Sequence, residues 1–228
     1  MISEALFIDN MKHMKTIEDK WFDLVIADPQ YGINAVSMRM GTNKKNRSTA
    51  ERVRGRLNHG NGKLKNRLLN SSTIDWDDAP PPPEYFEQLF RISRHQIIWG
   101  ANYFHLPPTR GIIFWDKLQP WENFSQFELA WTSFDVPAAK IALSNTGGSN
   151  QDKKIHPTEK PIKLYRWLLQ KYAKPGWRIY DPNMGSQNSR IAADIEGFDY
   201  WGCENNVTHY SDGCDKYLKH KGQPYLPF

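Results

Sequence analysis

Apolar positions along the chain recur with two periods, and the switches between them mark out short strands and amphipathic helices. Residues 4–9 (EALFID) read as a strand, 11–20 (MKHMKTIEDK) as a short helix and 22–28 (FDLVIAD) as a buried, β-branched strand. After Gly32 the periodicity stops, and it resumes beyond the four prolines 80–83, a stiff spacer. There 84–93 (EYFEQLFRIS) has helical spacing, and 96–104, 111–117 and 127–134 read as strands. The loop 118–126 (LQPWENFSQ) separates the last two, with Trp121 and Phe124 either exposed or covering the core. Downstream, helix 160–173 stops at Lys174-Pro175-Gly176, followed by strand 177–182, a small-residue turn, helix 189–198, strand 199–204 and a closing helix that carries Tyr210, Cys214 and Tyr217. Alternation of strand and helix predicts a mainly parallel sheet covered on both faces, here of seven strands.

Composition sharpens this picture in two places. The mean hydropathy of −0.70 coexists with nine Trp, ten Tyr and eleven Phe, so the polarity comes from abundant Lys, Arg, Asn and Gln rather than from a missing core. The net charge of +5 is unevenly spread: residues 39–67 hold ten Lys or Arg against the single Glu51, so that stretch carries +9 and the remainder −4. A mildly acidic body with one basic insert is the layout of a nucleic-acid enzyme. The bland alternative for the insert is a solvated loop that keeps the protein in solution. No run approaches the ~20 apolar residues of a membrane helix, and a soluble, cytoplasmic protein is expected. Cys203 and Cys214 have no zinc-type spacing and are read as reduced thiols, with no metal site.

Three motifs carry chemistry. DPQY (28–31) ends the second strand, HPTEKP (156–161) precedes the helix at 160–173, and DPNMGSQNSRIAA (181–193) places a small-residue turn between a strand and a helix N-terminus. With the acidic Glu204 ending the next strand, their order and spacing resemble the β-class DNA amino-methyltransferases, in a small bacterial or phage form. The resemblance covers most of the chain. It implies a doubly wound α/β, Rossmann-like methyltransferase sheet in a single domain spanning 1–228, with a catalytic half (1–136) interrupted by a basic insertion (34–72) and a cofactor-binding half (155–220). It also implies S-adenosylmethionine as cofactor, double-stranded DNA as partner and a role in restriction-modification, with a homodimer left open.

The exocyclic amine of adenine or cytosine donates its lone pair into the ring and is a poor nucleophile. The Asp28 carboxylate and the Pro29 carbonyl oxygen are two acceptors for its hydrogens, favouring a tetrahedral nitrogen aimed at a methyl donor. Tyr31 is expected to stack on the flipped base, repaying roughly 1–3 kcal/mol of lost stacking. By resemblance Asp181 binds the cofactor's amino group, Gly185 and Ser186 approach its backbone, Glu204 binds the ribose hydroxyls, Lys160 with Thr158 anchors its carboxylate, and Asp9 lies on the adenine side. The insert leaves the catalytic strand at the rim where a base would enter, so Lys44, Lys45, Arg47, Arg52, Arg54, Arg56, Lys63 and Lys65 are the candidate phosphate contacts, and order there is expected to depend on DNA.

Gln30, Asn183, Gln187 and the pair Asn205 and Asn206 depart from the family pattern. Gln30 leaves both acceptors in place, a loss of ~0.4–1 kcal/mol. Gln187 costs ~1–2 kcal/mol if the turn needs positive φ, and its bulk is expected to intrude on the methionine end of the cofactor. Asn183 sets an amide where an apolar side chain is usual. The sequence therefore supports methylation of an exocyclic amine in DNA, adenine being favoured by the Asp that opens the motif. Its alternatives are a weakened or inactive methyltransferase fold that binds DNA or a partner subunit, and a methyltransferase acting on RNA or a protein glutamine.

Overall fold

A computed structural model describes residues 1–33, 79–118, 125–144 and 159–222, together with the backbone of 39–40 and 67–68. The elements are β1 (Ser3–Phe7), α1 (Asn10–Met14), β2 (Phe22–Ala27), β3 (Arg39–Met40), β4 (Arg67–Leu68), α2 (Pro83–Ile92), β5 (Ser93–Trp99), β6 (Ile112–Asp116), β7 (Phe127–Thr132), β8 (Ala139–Ala142), α3 (Ile162–Tyr172), β9 (Arg178–Asp181), α4 (Asn188–Glu196), β10 (Asp199–Glu204) and α5 (Val207–Gly222).

The main sheet runs β1-β10-β9-β2-β5-β7-β6-β8. Its first five strands are parallel, β7 runs antiparallel to both β5 and β6, and β8 lies parallel to β6. The sheet thus has eight strands, one more than the expected seven. The addition, β8, is a four-residue edge strand with half-exposed and exposed positions alternating, and it offers no apolar run that a sequence pattern registers. The β3–β4 pair is separate and antiparallel, with Arg39 opposite Leu68 and Met40 opposite Arg67.

Both faces of the central strands are buried, as parallel strands under helices require. Leu24 and Ile26 of β2, with Ile97 and Trp99 of β5, enter a core formed with Leu164, Leu168 and Leu169 of α3 and Ala192 and Ala193 of α4. Val25 and Ala27, with Ile98, face the other way, onto Met14 of α1 and Tyr85, Leu89 and Ile92 of α2. The period-2 alternation therefore sorts each strand between two cores. Pro83 is the first residue of α2, where its missing N–H costs no hydrogen bond.

The described residues on either side of the expected insertion, Gly32 and Pro80, meet. Gly32 has φ +70°, and a Cβ on it would stand 2.5 Å from Pro80 Cδ, so the chain leaving β2 packs directly against the chain arriving at α2.

Candidate active site

Three carboxyl groups follow the C-terminal ends of three neighbouring strands. Asp181 closes β9 opposite Gly202 of β10, Glu204 closes β10, and Asp28 follows β2 on the other flank of β9. The sheet order reverses between β9 and β2, which is where open α/β sheets leave a crevice.

On the β2 side, Asp28 Oδ1 accepts from Tyr31 Oη at 2.8 Å and from Lys160 Nζ at 2.5 Å. Lys160, whose side chain is 3% exposed, also lies 3.1 Å from Glu128 Oε2 and 3.3 Å from Tyr31 Oη. Glu128 of β7 takes a second ammonium, that of Lys117, on its other oxygen. Burial pushes the Asp28 carboxyl above the usual carboxylate range; Lys160 opposes this and Glu128 reinforces it. For Glu128 burial also pushes upward, but Lys160 and Lys117 together outweigh it and bring the group down to about 2. Lys160 stays charged, because its two carboxylates outweigh the cost of burial. The Tyr31 ring stacks on Tyr103 with centroids 4.8 Å apart. It also lies against Gly100, where a Cβ would meet its edge at 2.5 Å, so that position has room for no side chain. One face expected for a nucleobase is therefore covered by Tyr103.

On the β9–β10 side, Asp181 Oδ1 accepts from the Asn183 N–H at 2.9 Å, whereas Oδ2 is buried and has no hydrogen-bond partner. Burial raises this carboxyl to about 7. A buried, orphaned carboxylate oxygen at a strand end suits an ammonium ligand, which supplies both the missing donor and the missing charge. Glu204 bridges the turn: Oε2 accepts from the Gly185 N–H at 3.1 Å, and Oε1 from those of Asn205 and Asn206 at 3.0 and 2.8 Å. Toward Glu204 both Asn205 and Asn206 act through their backbone, while the Asn206 side chain accepts from the Thr208 and His209 N–H groups at the start of α5. Asn183 is held by its Oδ1, which accepts from Tyr85 Oη at 2.5 Å, and Ser186 is buried. Asp9 caps α1, accepting from the Lys12 N–H at 2.9 Å.

Gln187 has φ +59°, so the turn does demand the left-handed region. The expected intrusion on the cofactor turn is not what the structure shows. The fully buried side chain points to α5, donating to Tyr210 O at 3.3 Å and Cys214 Sγ at 3.2 Å and accepting from Arg190 Nη1 at 2.9 Å. Gly213 makes the space, since a Cβ there would stand 2.8 Å from Gln187 Cγ.

Lys160 meets Asp28 across 132 positions of sequence, as the motif pairing requires. Glu128, Lys117, Tyr85 and Tyr103 join the site without a sequence signal, because each lies in an ordinary strand, helix or loop pattern and gains its place only from the folded sheet. Thr158, the eight candidate phosphate contacts of the insert, and Trp121 and Phe124 lie outside the described residues. Among those described, no group of His, Cys, Asp or Glu is placed to hold a metal, and no helix is long and apolar enough to cross a membrane.

No family model matches the chain. It is 25% identical over 141 residues to the type II methyltransferase M2.MboI of Moraxella bovis, a match that takes in 62% of this chain and 46% of the relative; the chain thus spans about half the length of that curated relative. Among solved structures, the M1.HpyAVI–SAM complex superposes with a TM-score of 0.54 at 16% identity, over 95% of this chain and all of the other. The PvuII DNA methyltransferase (cytosine-N4-specific) gives 0.57 at 11% identity, over 96% and 87%. The protein has the fold of the DNA methyltransferases, in agreement with the resemblance carried by its motifs.

Proposed function

We propose that this protein is an S-adenosylmethionine-dependent methyltransferase acting on an exocyclic amine of DNA, adenine in preference to cytosine. The observation that carries the reading is the juxtaposition of Asp28 and Asp181 at neighbouring strand ends, one carboxyl held in an ion-pair cluster with Lys160 and the other buried with an oxygen unpartnered.

Asp181, Glu204 and the Gly185 turn are the residues that would hold the cofactor, and bound there it supplies an electrophilic methyl group. Asp181 Oδ2 offers the amino group a charged acceptor. The lone pairs of Glu204 not used by backbone N–H groups are acceptors for hydroxyls. Asp28 and the Pro29 carbonyl take the hydrogens of the target amine, which withdraws its lone pair from the ring and raises its nucleophilicity. Tyr31 stays a neutral phenol, since burial and then Asp28 hold its proton well above the usual range, so it donates to Asp28 throughout. The preference for adenine rests on the Asp that opens the motif.

Tritium transfer from labelled S-adenosylmethionine to duplex DNA is the direct test. Transfer is expected in the wild type, with N6-methyladenine as the digested product and at least ~100-fold less in Asp28→Ala. No transfer to DNA of varied sequence at saturating cofactor would refute the reading, and N4-methylcytosine would correct the base. The reading of a weakened enzyme drew on Gln187 and Asn183, and it loses the first of these now that the Gln187 side chain lies against α5.

A further inference from the structure

Lys160 has three N–H groups, and three acceptors surround it: Asp28 Oδ1 at 2.5 Å, Glu128 Oε2 at 3.1 Å and Tyr31 Oη at 3.3 Å. The ammonium is buried, so each of these acceptors satisfies a proton that water does not reach. Asp28 Oδ1 is fully used, since Tyr31 Oη also donates to it. Among the described residues Asp28 Oδ2 takes no hydrogen bond, and it is the oxygen left for a target amine. Glu128 is fixed in turn by Lys117, which is itself buried.

We propose that Glu128 is a positioning residue of the methyl-transfer site: by accepting one N–H of Lys160 it keeps that ammonium on a single oxygen of Asp28 and leaves Oδ2 open to the incoming amine. The inference rests on the methyltransferase reading above. Without the Glu128 charge, Asp28 is the one carboxylate left to Lys160 among the described residues, and its second oxygen is open to the ammonium. The ammonium then spans both oxygens of Asp28 and closes the seat of the amine. Glu128 thus acts on the reaction through Lys160, without touching the substrate.

The test is E128Q, which keeps the side-chain shape and removes the charge. With wild-type transfer established, single-turnover kcat is expected to fall ~10- to 100-fold while the dissociation constant for S-adenosylmethionine, set at Asp181 and Glu204, stays within about twofold. A purely structural role would instead lower cofactor affinity and melting temperature together. A second readout does not need turnover: carbon-13 NMR titration of the Asp28 carboxyl. The charged and titratable groups in reach of Asp28 are Tyr31 from its own turn, Lys160, Glu128 from β7 with Lys117 behind it, Asp181 from β9, Tyr85 from α2 and Tyr165 from α3. Removing the Glu128 charge and drawing Lys160 closer both stabilise the ionised form, so the Asp28 titration moves to lower pH in E128Q. If E128Q does not fold, E128D, which retracts the charge by one methylene, is expected to lower kcat with cofactor binding intact. Wild-type kcat in a folded variant, or an Asp28 titration that stays put or moves upward, overturns the proposal. A wild-type enzyme that transfers no methyl group refutes the methyltransferase reading, and the NMR titration still decides where Lys160 sits.

Discussion

Asp181 is a carboxyl kept where a carboxylate is costly. Its folded value of about 7 lies above the ordinary 3.8 because burial penalises the charge by more than the neighbouring donors of Ser189 and Asn183 favour it. The folded state therefore holds this proton up to about pH 7, whereas the unfolded chain gives it up near 3.8. The stabilisation it contributes is present below the lower value and is lost as pH rises through the window between the two. In Asp181→Asn that loss is expected to vanish, so the variant without cofactor should gain at least ~1 kcal/mol over wild type at pH 8, about 2–4 °C in Tm, while cofactor affinity falls at least ~100-fold. Scanning calorimetry from pH 5 to 8 and titration calorimetry check the two halves. Wild-type binding should also release a proton near pH 7, read as a buffer-dependent heat, because an ammonium placed on Oδ2 lowers the carboxyl's pKa. The position of Asp181 was legible in the sequence, since a strand-like run ending in an acid before a small-residue turn specifies a strand end. Its orphaned oxygen was not, because that depends on what the folded neighbours fail to supply.

Among elements, the junction of α4 with α5 shows how an unfavourable residue is accommodated. Gln187 holds a positive φ that costs ~1 kcal/mol relative to glycine, and three hydrogen bonds to Tyr210, Cys214 and Arg190 offset this. Gln187→Gly is expected to lower stability by a net ~1–2 kcal/mol in denaturant titrations and to leave cofactor affinity within about twofold. Gly213→Ala drives a methyl group into Gln187 Cγ, and its penalty should shrink by at least ~1 kcal/mol when combined with Gln187→Gly, a coupling that a double-mutant cycle measures. The positive φ was foreseeable from the small-residue turn between a strand and a helix; the direction of the side chain was not, because it is decided by a gap beside Gly213, in a helix further along the chain. The same reason hid Glu128, which reads as an ordinary polar position in an alternating strand until β7 is set beside β5. Strand and helix positions themselves were legible almost throughout, since both faces of each central strand meet a core.

For the whole molecule the uneven charge dominates, with +9 confined to residues 39–67 and −4 elsewhere. Replacing Lys44, Lys45, Arg47, Arg52, Arg54 and Arg56 with Gln is expected to weaken DNA binding and to reduce the slope of log K against log salt by up to ~5, about one slope unit for each lost phosphate contact. Binding at several salt concentrations measures this, and an unchanged slope would assign those cations to solvent. Gly32 abuts Pro80, and the β3–β4 rungs pair Arg39 with Leu68, so at both places the two ends of the span enclosed between them stand side by side. Under the proposed function the enclosed span is therefore expected to behave as a cassette: exchanging it should alter DNA binding, measured by salt titration, while leaving affinity for S-adenosylmethionine within about twofold.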